Sequence, residues 1–132
     1  MLPVLYADLA SPSPAACAGA DAAVTSLTSQ LLKKRGGVDH YVITAIVTNV
    51  GRESQTPDVE QRIELVRGGK VLAPQTFPAL GAGVAYTLAF AVDRPAAERS
   101  QPLTVTVRYL LTAGDPARNA CNRSNDEMTK TF

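Results

Sequence analysis

Asp115, Asn119, Asn122, Asn125 and Asp126 gather oxygen-bearing side chains into one stretch of the chain. Hard cations such as calcium take six to eight oxygen ligands, so this stretch is a candidate metal site. Only two of the five are carboxylates, and the spacing matches no EF-hand loop. Asn and Asp are also the ordinary residues of turns, where their side chains bond the local backbone. The expectation is therefore no resident cofactor, with calcium the one metal this ligand chemistry allows.

The two cysteines, Cys17 and Cys121, are the next candidates. Joined, they close a loop of about 100 residues, which the chain-entropy model values at up to ~4.7 kcal/mol less any strain. Two unrelated thiols is one alternative. A lipid-bearing Cys17 after Pro14-Ala15-Ala16 is another, although no apolar segment precedes it. The disulfide is favoured, because both cysteines fall in polar stretches rather than on a core face where a structural thiol belongs. It would indicate an oxidising compartment.

Other chemistry is sparse. His40 is the sole histidine and has no nominated zinc or triad partner. Glu60 and Glu64 flank Arg62 and read as a solvated strand face rather than a glycosidase pair. No nucleophile elbow, P-loop or dinucleotide fingerprint occurs. Asn122-Arg123-Ser124 fits the glycosylation pattern, a three-residue match that arises often by chance. The expectation is no catalytic residue and no enzyme.

These residues need elements to position them. The 132 residues suit one domain, and 45% hydrophobic content places it among globular chains. Thirteen basic against twelve acidic residues, scattered in sign, leave a net charge of +1. Nucleic-acid binding needs a concentrated basic face and is not expected. No apolar run approaches the ~20 residues of a membrane helix. Residues 1–20, rich in Ala, Pro and Ser, read as an extended tether, and Tyr6 within it is the aromatic freest to meet a partner.

From residue 21 the pattern has a period of two. In residues 41–51, Tyr41, Ile43, Ala45 and Val47 share one face, assigned to the core, and Asn49 ends the strand by satisfying nearby backbone. Residues 22–32 form a first strand whose alternation slips, through a bulge or a switch of sheet. Val59, Gln61, Ile63 and Leu65 alternate with Glu60, Arg62, Glu64 and Val66, a third strand with its charged face in water. Gly68-Gly69 marks a hairpin, and residues 70–77 follow as one short strand that Pro74 confines to an edge. Val84, Tyr86, Leu88, Phe90 and Val92 line the cleanest amphipathic strand. A sixth, residues 103–109, places Tyr109 inward, where its hydroxyl could bond a loop carbonyl. The last, residues 127–132, has no decidable inner face. Seven short strands without helical period predict an all-β, seven-stranded antiparallel immunoglobulin-like sandwich over residues 21–132. The missing Trp argues against an antibody-type domain.

Three motifs in order carry a resemblance: Val47-Thr48-Asn49-Val50-Gly51, then Leu80-Gly81-Ala82-Gly83 before the amphipathic strand, then Asn122-Arg123-Ser124-Asn125-Asp126 before the last. Together they resemble CARDB, the cell-adhesion-related domain found in bacteria, over about residues 21–132. Two features depart from it: the usual acidic residue before the Asn pair is replaced by Asn119-Ala120-Cys121-Asn122, and the second Asn becomes Asp126. The resemblance implies a bacterial module of the cell surface, periplasm or medium, serving adhesion or spacing, with no catalytic residue to carry over.

The expected role is a non-catalytic interaction module meeting a protein or surface component through a strand edge. The expected edges are residues 70–77 and the N-terminal strand, with Lys70, Val71 and Leu72 the candidate partner-binding residues, because antiparallel sandwiches leave edge backbone unpaired. The alternative is an accessory module binding glycan or calcium beside a secreted enzyme; few aromatics and no Trp argue against a sugar platform.

Overall fold

The computed structural model describes residues 19–72 and 74–132. Eight strands follow one another: β1 (Ala22–Arg35), β2 (Val38–Asn49), β3 (Glu60–Arg67), β4 (Lys70–Val71), β5 (Gln75–Phe77), β6 (Ala85–Pro95), β7 (Thr104–Ala113) and β8 (Glu127–Thr131). They form a three-stranded sheet, β1-β2-β6, facing a five-stranded sheet, β4-β3-β7-β8, with β5 also on β3. All pairings are antiparallel. The fold is the expected immunoglobulin-like sandwich, with eight strands rather than seven. The difference lies at residues 70–77, which split into β4 and β5 around Pro74. Proline cannot donate to a ladder, and both fragments return to β3, at Val66–Val71 and Gln61–Phe77.

Alternation explains what lies inside. Ile43, Ala45 and Val47 of β2 are buried against Ile63 and Leu65 of β3, Leu88, Phe90 and Val92 of β6, and Val105, Val107 and Tyr109 of β7. Full burial of each large apolar side chain contributes ~1.5–3 kcal/mol. The slip in β1 is a bulge rather than a switch of sheet: its register on β2 shifts between Val24 and Ser26, and again between Leu31 and Lys33. The strand runs on to Arg35, because Gly36 and Gly37 adopt φ of 60° and 77° and close a two-residue hairpin. Gly68 and Gly69, at 58° and 75°, do the same between β3 and β4.

Three expectations need correction. Tyr86 shares parity with Leu88 but is 38% exposed, since it lies beyond the packed centre and stacks on Phe77 at 5.7 Å. Glu64 is buried rather than solvated, bridging Arg62 at 3.0 Å and Arg108 at 3.2 Å. Tyr109 is buried as expected, yet its hydroxyl donates to the Gln61 side chain (2.6 Å) rather than to a loop carbonyl.

Candidate functional site

Two places bring polar groups together. The first is the seam where β1 begins. Asn49, wholly buried at the end of β2, accepts from Asp21 N–H and Gly51 N–H through Oδ1, both at 3.0 Å. Its Nδ2 donates to the carbonyls of Glu53 (2.8 Å) and Leu80 (3.1 Å). A Cβ at Gly51 would collide with the Gly19 carbonyl and Ala20 Cα, which explains the glycine. The buried Asp21 carboxylate then accepts from Asn122 N–H at 3.1 Å and Asn125 Nδ2 at 2.7 Å.

The five oxygen-bearing residues of the 115–126 stretch are not drawn to one point. Asp115 caps the short helix α1 (Pro116–Asn119) by accepting from Ala117 N–H. Asn119 is buried and turned to Thr56, accepting from its N–H at 2.8 Å. Asn122 accepts from Ser124 N–H at 3.1 Å, the Asx-type use of such residues. Of the five, Asn125 reaches Asp21 through its side chain and Asn122 through its backbone N–H. Burial pushes the Asp126 carboxyl up to about 6, against the pull of Arg123 at 3.4 Å. Asn125 Oδ1 and Asp126 Oδ1 are buried without a hydrogen-bond partner. Among the described residues no three His, Cys, Asp or Glu side chains form a metal-binding group. Beside Asp126 and Arg123, Tyr109, Leu111, Pro116 and Ala120 enclose a cavity of about 100 Å³.

Cys121 lies in this seam, its N–H on the Ala20 carbonyl at 3.4 Å. Among the described residues no cysteine is free. Cys17, Tyr6 and the tether through residue 18 lie outside the described residues; Ala20, placed in that tether by sequence, is buried against the domain.

The second place is the flank where β4 and β6 each form the edge of a sheet. Lys70 and Val71 are exposed and pair with β3 on one side only; Leu72 follows the strand, donating to Leu65 O at 2.7 Å and packing against the core. Across from them runs β6. Asn49 N–H bonds Val84 O and Ala96 N–H bonds Gly37 O, so even-numbered residues of β6 turn their backbone toward β2. Odd-numbered residues therefore face outward. Two of these outward carbonyls are capped by side chains of the other sheet: Gln75 Nε2 donates to Ala89 O at 2.7 Å and Arg67 Nη1 to Asp93 O at 3.0 Å. Such caps protect an edge against indiscriminate pairing. Between them lies Ala91. A groove of about 380 Å³ opens there, lined by Arg67, Gly68, Lys70, Leu72, Ala91, Val92 and Asp93.

Periodicity in the sequence did not reveal the side-chain pairs that hold this frame. Gln55 and Gln61 exchange two hydrogen bonds of 2.8 Å in the interior. Buried Asp39 receives both Arg99 nitrogens at 2.8 Å, and the Arg99 guanidinium holds its carboxyl below the usual range. Arg94, also buried, donates to the Tyr41 hydroxyl at 2.8 Å. The signal was present: Asp39, Gln61 and Arg94 occupy core parities, where a polar group must find a partner. His40 meets Asp93 at 2.7 Å on the surface.

This architecture defines an immunoglobulin-like β-sandwich domain. Neither a family model nor a curated protein matches the chain. Solved structures do. The CARDB domain of a Pyrococcus furiosus protein, determined in complex with di-metal ions, is 16% identical at a TM-score of 0.54, over 96% of each chain. A Methanosarcina acetivorans domain, provisionally named a cell surface protein, is 22% identical at a TM-score of 0.60, covering 86% of this chain and 90% of that one. The chain has the fold of a CARDB domain. No helix among the described residues is long and apolar enough to cross a membrane.

Proposed function

We propose that this chain is a non-catalytic interaction module working outside the cytoplasm, through adhesion, subunit association or spacing of other domains. The observation that carries the reading is the open flank. A sandwich braced by buried polar pairs leaves Lys70, Val71 and Leu72 at a sheet edge, beside the outward Ala91 backbone. The non-catalytic part is supported by where the titratable groups stand: Asp39 on Arg99, Glu64 between two arginines, His40 on Asp93. The name of the Methanosarcina domain supports a protein or surface component as partner and a location outside the cytoplasm.

A Cys17–Cys121 disulfide belongs to the same proposal. It would tie the tether to the seam at Asp21, and mass spectrometry without reductant should find the chain two hydrogens lighter than with it.

The experiment is retention of the purified chain on envelope preparations of the source cells. Val71→Asp should abolish retention and Thr129→Asp, on the opposite flank, should leave it intact. Equal retention of both variants contradicts the placement.

A second reading, a cation such as calcium at Asn125 and Asp126, is favoured by their two unpartnered oxygens and by the metal-bound Pyrococcus relative. The dispersal of Asp115, Asn119 and Asn122 counts against it. Calorimetric titration with calcium decides: saturable heat lost in Asp126→Asn supports the site, and a flat trace removes it.

A further inference from the structure

The open flank has a chemistry of its own, and any ligand assigned to it rests on that flank being the contact surface of the domain. The groove between β4 and β6 offers three things at once. Leu72, partly buried, gives it an apolar wall, while Val92, only 2% exposed, belongs to the core beneath it. Ala91 supplies an outward N–H and C=O between two capped carbonyls, so a strand arriving here has one register available. Lys70 supplies an ammonium. Arg67, the other cation in the groove, is engaged by Asp93 O and by Glu98 at 3.7 Å. Asp93 is engaged by His40. Among the described residues Lys70 has no ion-pair partner.

We infer that this groove receives a short extended polypeptide segment bearing a carboxylate, with its main chain bonded to Ala91, an aliphatic side chain against Leu72, and its carboxylate on Lys70. The ligand class follows from charge and shape together. A volume of about 380 Å³ sits at the small end of the ~300–1,000 Å³ usual for ligand pockets and suits one or two side chains of a strand rather than a folded surface. The capped carbonyls of Ala89 and Asp93 limit pairing to a short segment, which sets this site apart from an open edge. An exposed ion pair contributes little by itself, so Lys70 selects among segments while the backbone and aliphatic contacts hold them.

The test uses the full chain and two capped heptapeptides of alternating threonine and valine, one with a central glutamate and one with a central lysine. Amide-resolved NMR titration should show the glutamate peptide shifting Lys70, Leu72 and Ala91 saturably, at about fivefold higher affinity than its lysine counterpart. Lys70→Glu, a change at an exposed side chain, should invert that preference. Ala91→Pro removes an outward N–H and also fixes φ at an edge-strand position, which such strands tolerate; it should abolish both titrations, and retained β2–β6 cross-peaks show that the strand is intact. Saturable shifts centred on β8, equal affinity for the two peptides, or no shift overturns the inference. Envelope retention lost in Val71→Asp while the peptides fail to bind would overturn the carboxylate-bearing segment and leave the flank as the contact surface. Failure of both experiments removes both.

Discussion

Asn49 Oδ1 accepts the backbone N–H of Asp21 at 3.0 Å, across 28 residues of sequence. Both residues are fully buried. Through that bond the end of β2 fixes the start of β1, and the Asp21 carboxylate passes the constraint to Asn122 and Asn125 before β8. Replacing Asn49 with Ala leaves several buried backbone groups unpaired, each costing ~1–3 kcal/mol, part of which water recovers. Urea unfolding should show a loss of roughly 2–4 kcal/mol. A change under 1 kcal/mol would show that the seam is not a brace.

Asp126 should give stability an unusual pH dependence. Its carboxyl titrates at about 6 in the fold, because burial disfavours the charge, and near 3.9 when unfolded. The folded state therefore holds the proton more tightly. This contribution is present below about pH 4 and is lost as pH rises through about 6. Thermal midpoints from pH 4 to 7 should fall less in Asp126→Asn than in the parent chain; identical slopes would refute the assignment.

Asp39 works in the opposite direction. Arg99 depresses its carboxyl, so its contribution is present above the unfolded value and lost as pH falls through the lower folded one. Arg99→Ala leaves an enclosed carboxylate without its two bonds. Its midpoint at pH 7 should drop and its acid sensitivity below pH 4 should weaken. A variant as stable as the parent at pH 7 would contradict this.

Tyr109 and Gln61 test the interior polar cluster. Burial raises the phenol well above its ordinary range, and its hydroxyl holds Gln61 Oε1 at 2.6 Å. Because Gln55 also bonds that oxygen, Tyr109→Phe leaves it partnered. Denaturant unfolding should register only about 0.5–1.5 kcal/mol, the usual net value of one hydrogen bond. A loss above 3 kcal/mol would mean that the hydroxyl has further partners.

The sandwich was legible because it is written in alternation. Ile43, Ala45 and Val47 point inward as their parity says, and Gly36-Gly37 and Gly68-Gly69 mark the two tight hairpins. Asn49 was also readable, since a buried amide at a strand end has few uses other than binding backbone. What periodicity cannot carry is a pairing between distant positions. Nothing local joins Asp39 to Arg99 or Gln55 to Gln61, and Tyr86 keeps a core parity near the start of β6, where it stacks on Phe77 yet stays partly exposed. The candidate ligand set of the 115–126 stretch was a statement of composition. Caps and an Asx turn occupy Asp115 and Asn122, and a long-range bond to Thr56 occupies Asn119. The flank was half legible: Lys70–Leu72 was found through Pro74, but Ala91 was not, because a small residue on an outer face carries no signal of backbone direction.

Which flank touches the partner decides whether the β4–β6 edge is the contact surface of the domain. A photo-crosslinking side chain at residue 71 or, in a separate variant, at residue 129, introduced into the chain in its own cells, measures this directly. Adducts of defined mass from residue 71 and none from residue 129 are predicted. Adducts from residue 129 alone, or from neither position in cells where the chain is envelope-bound, would contradict it.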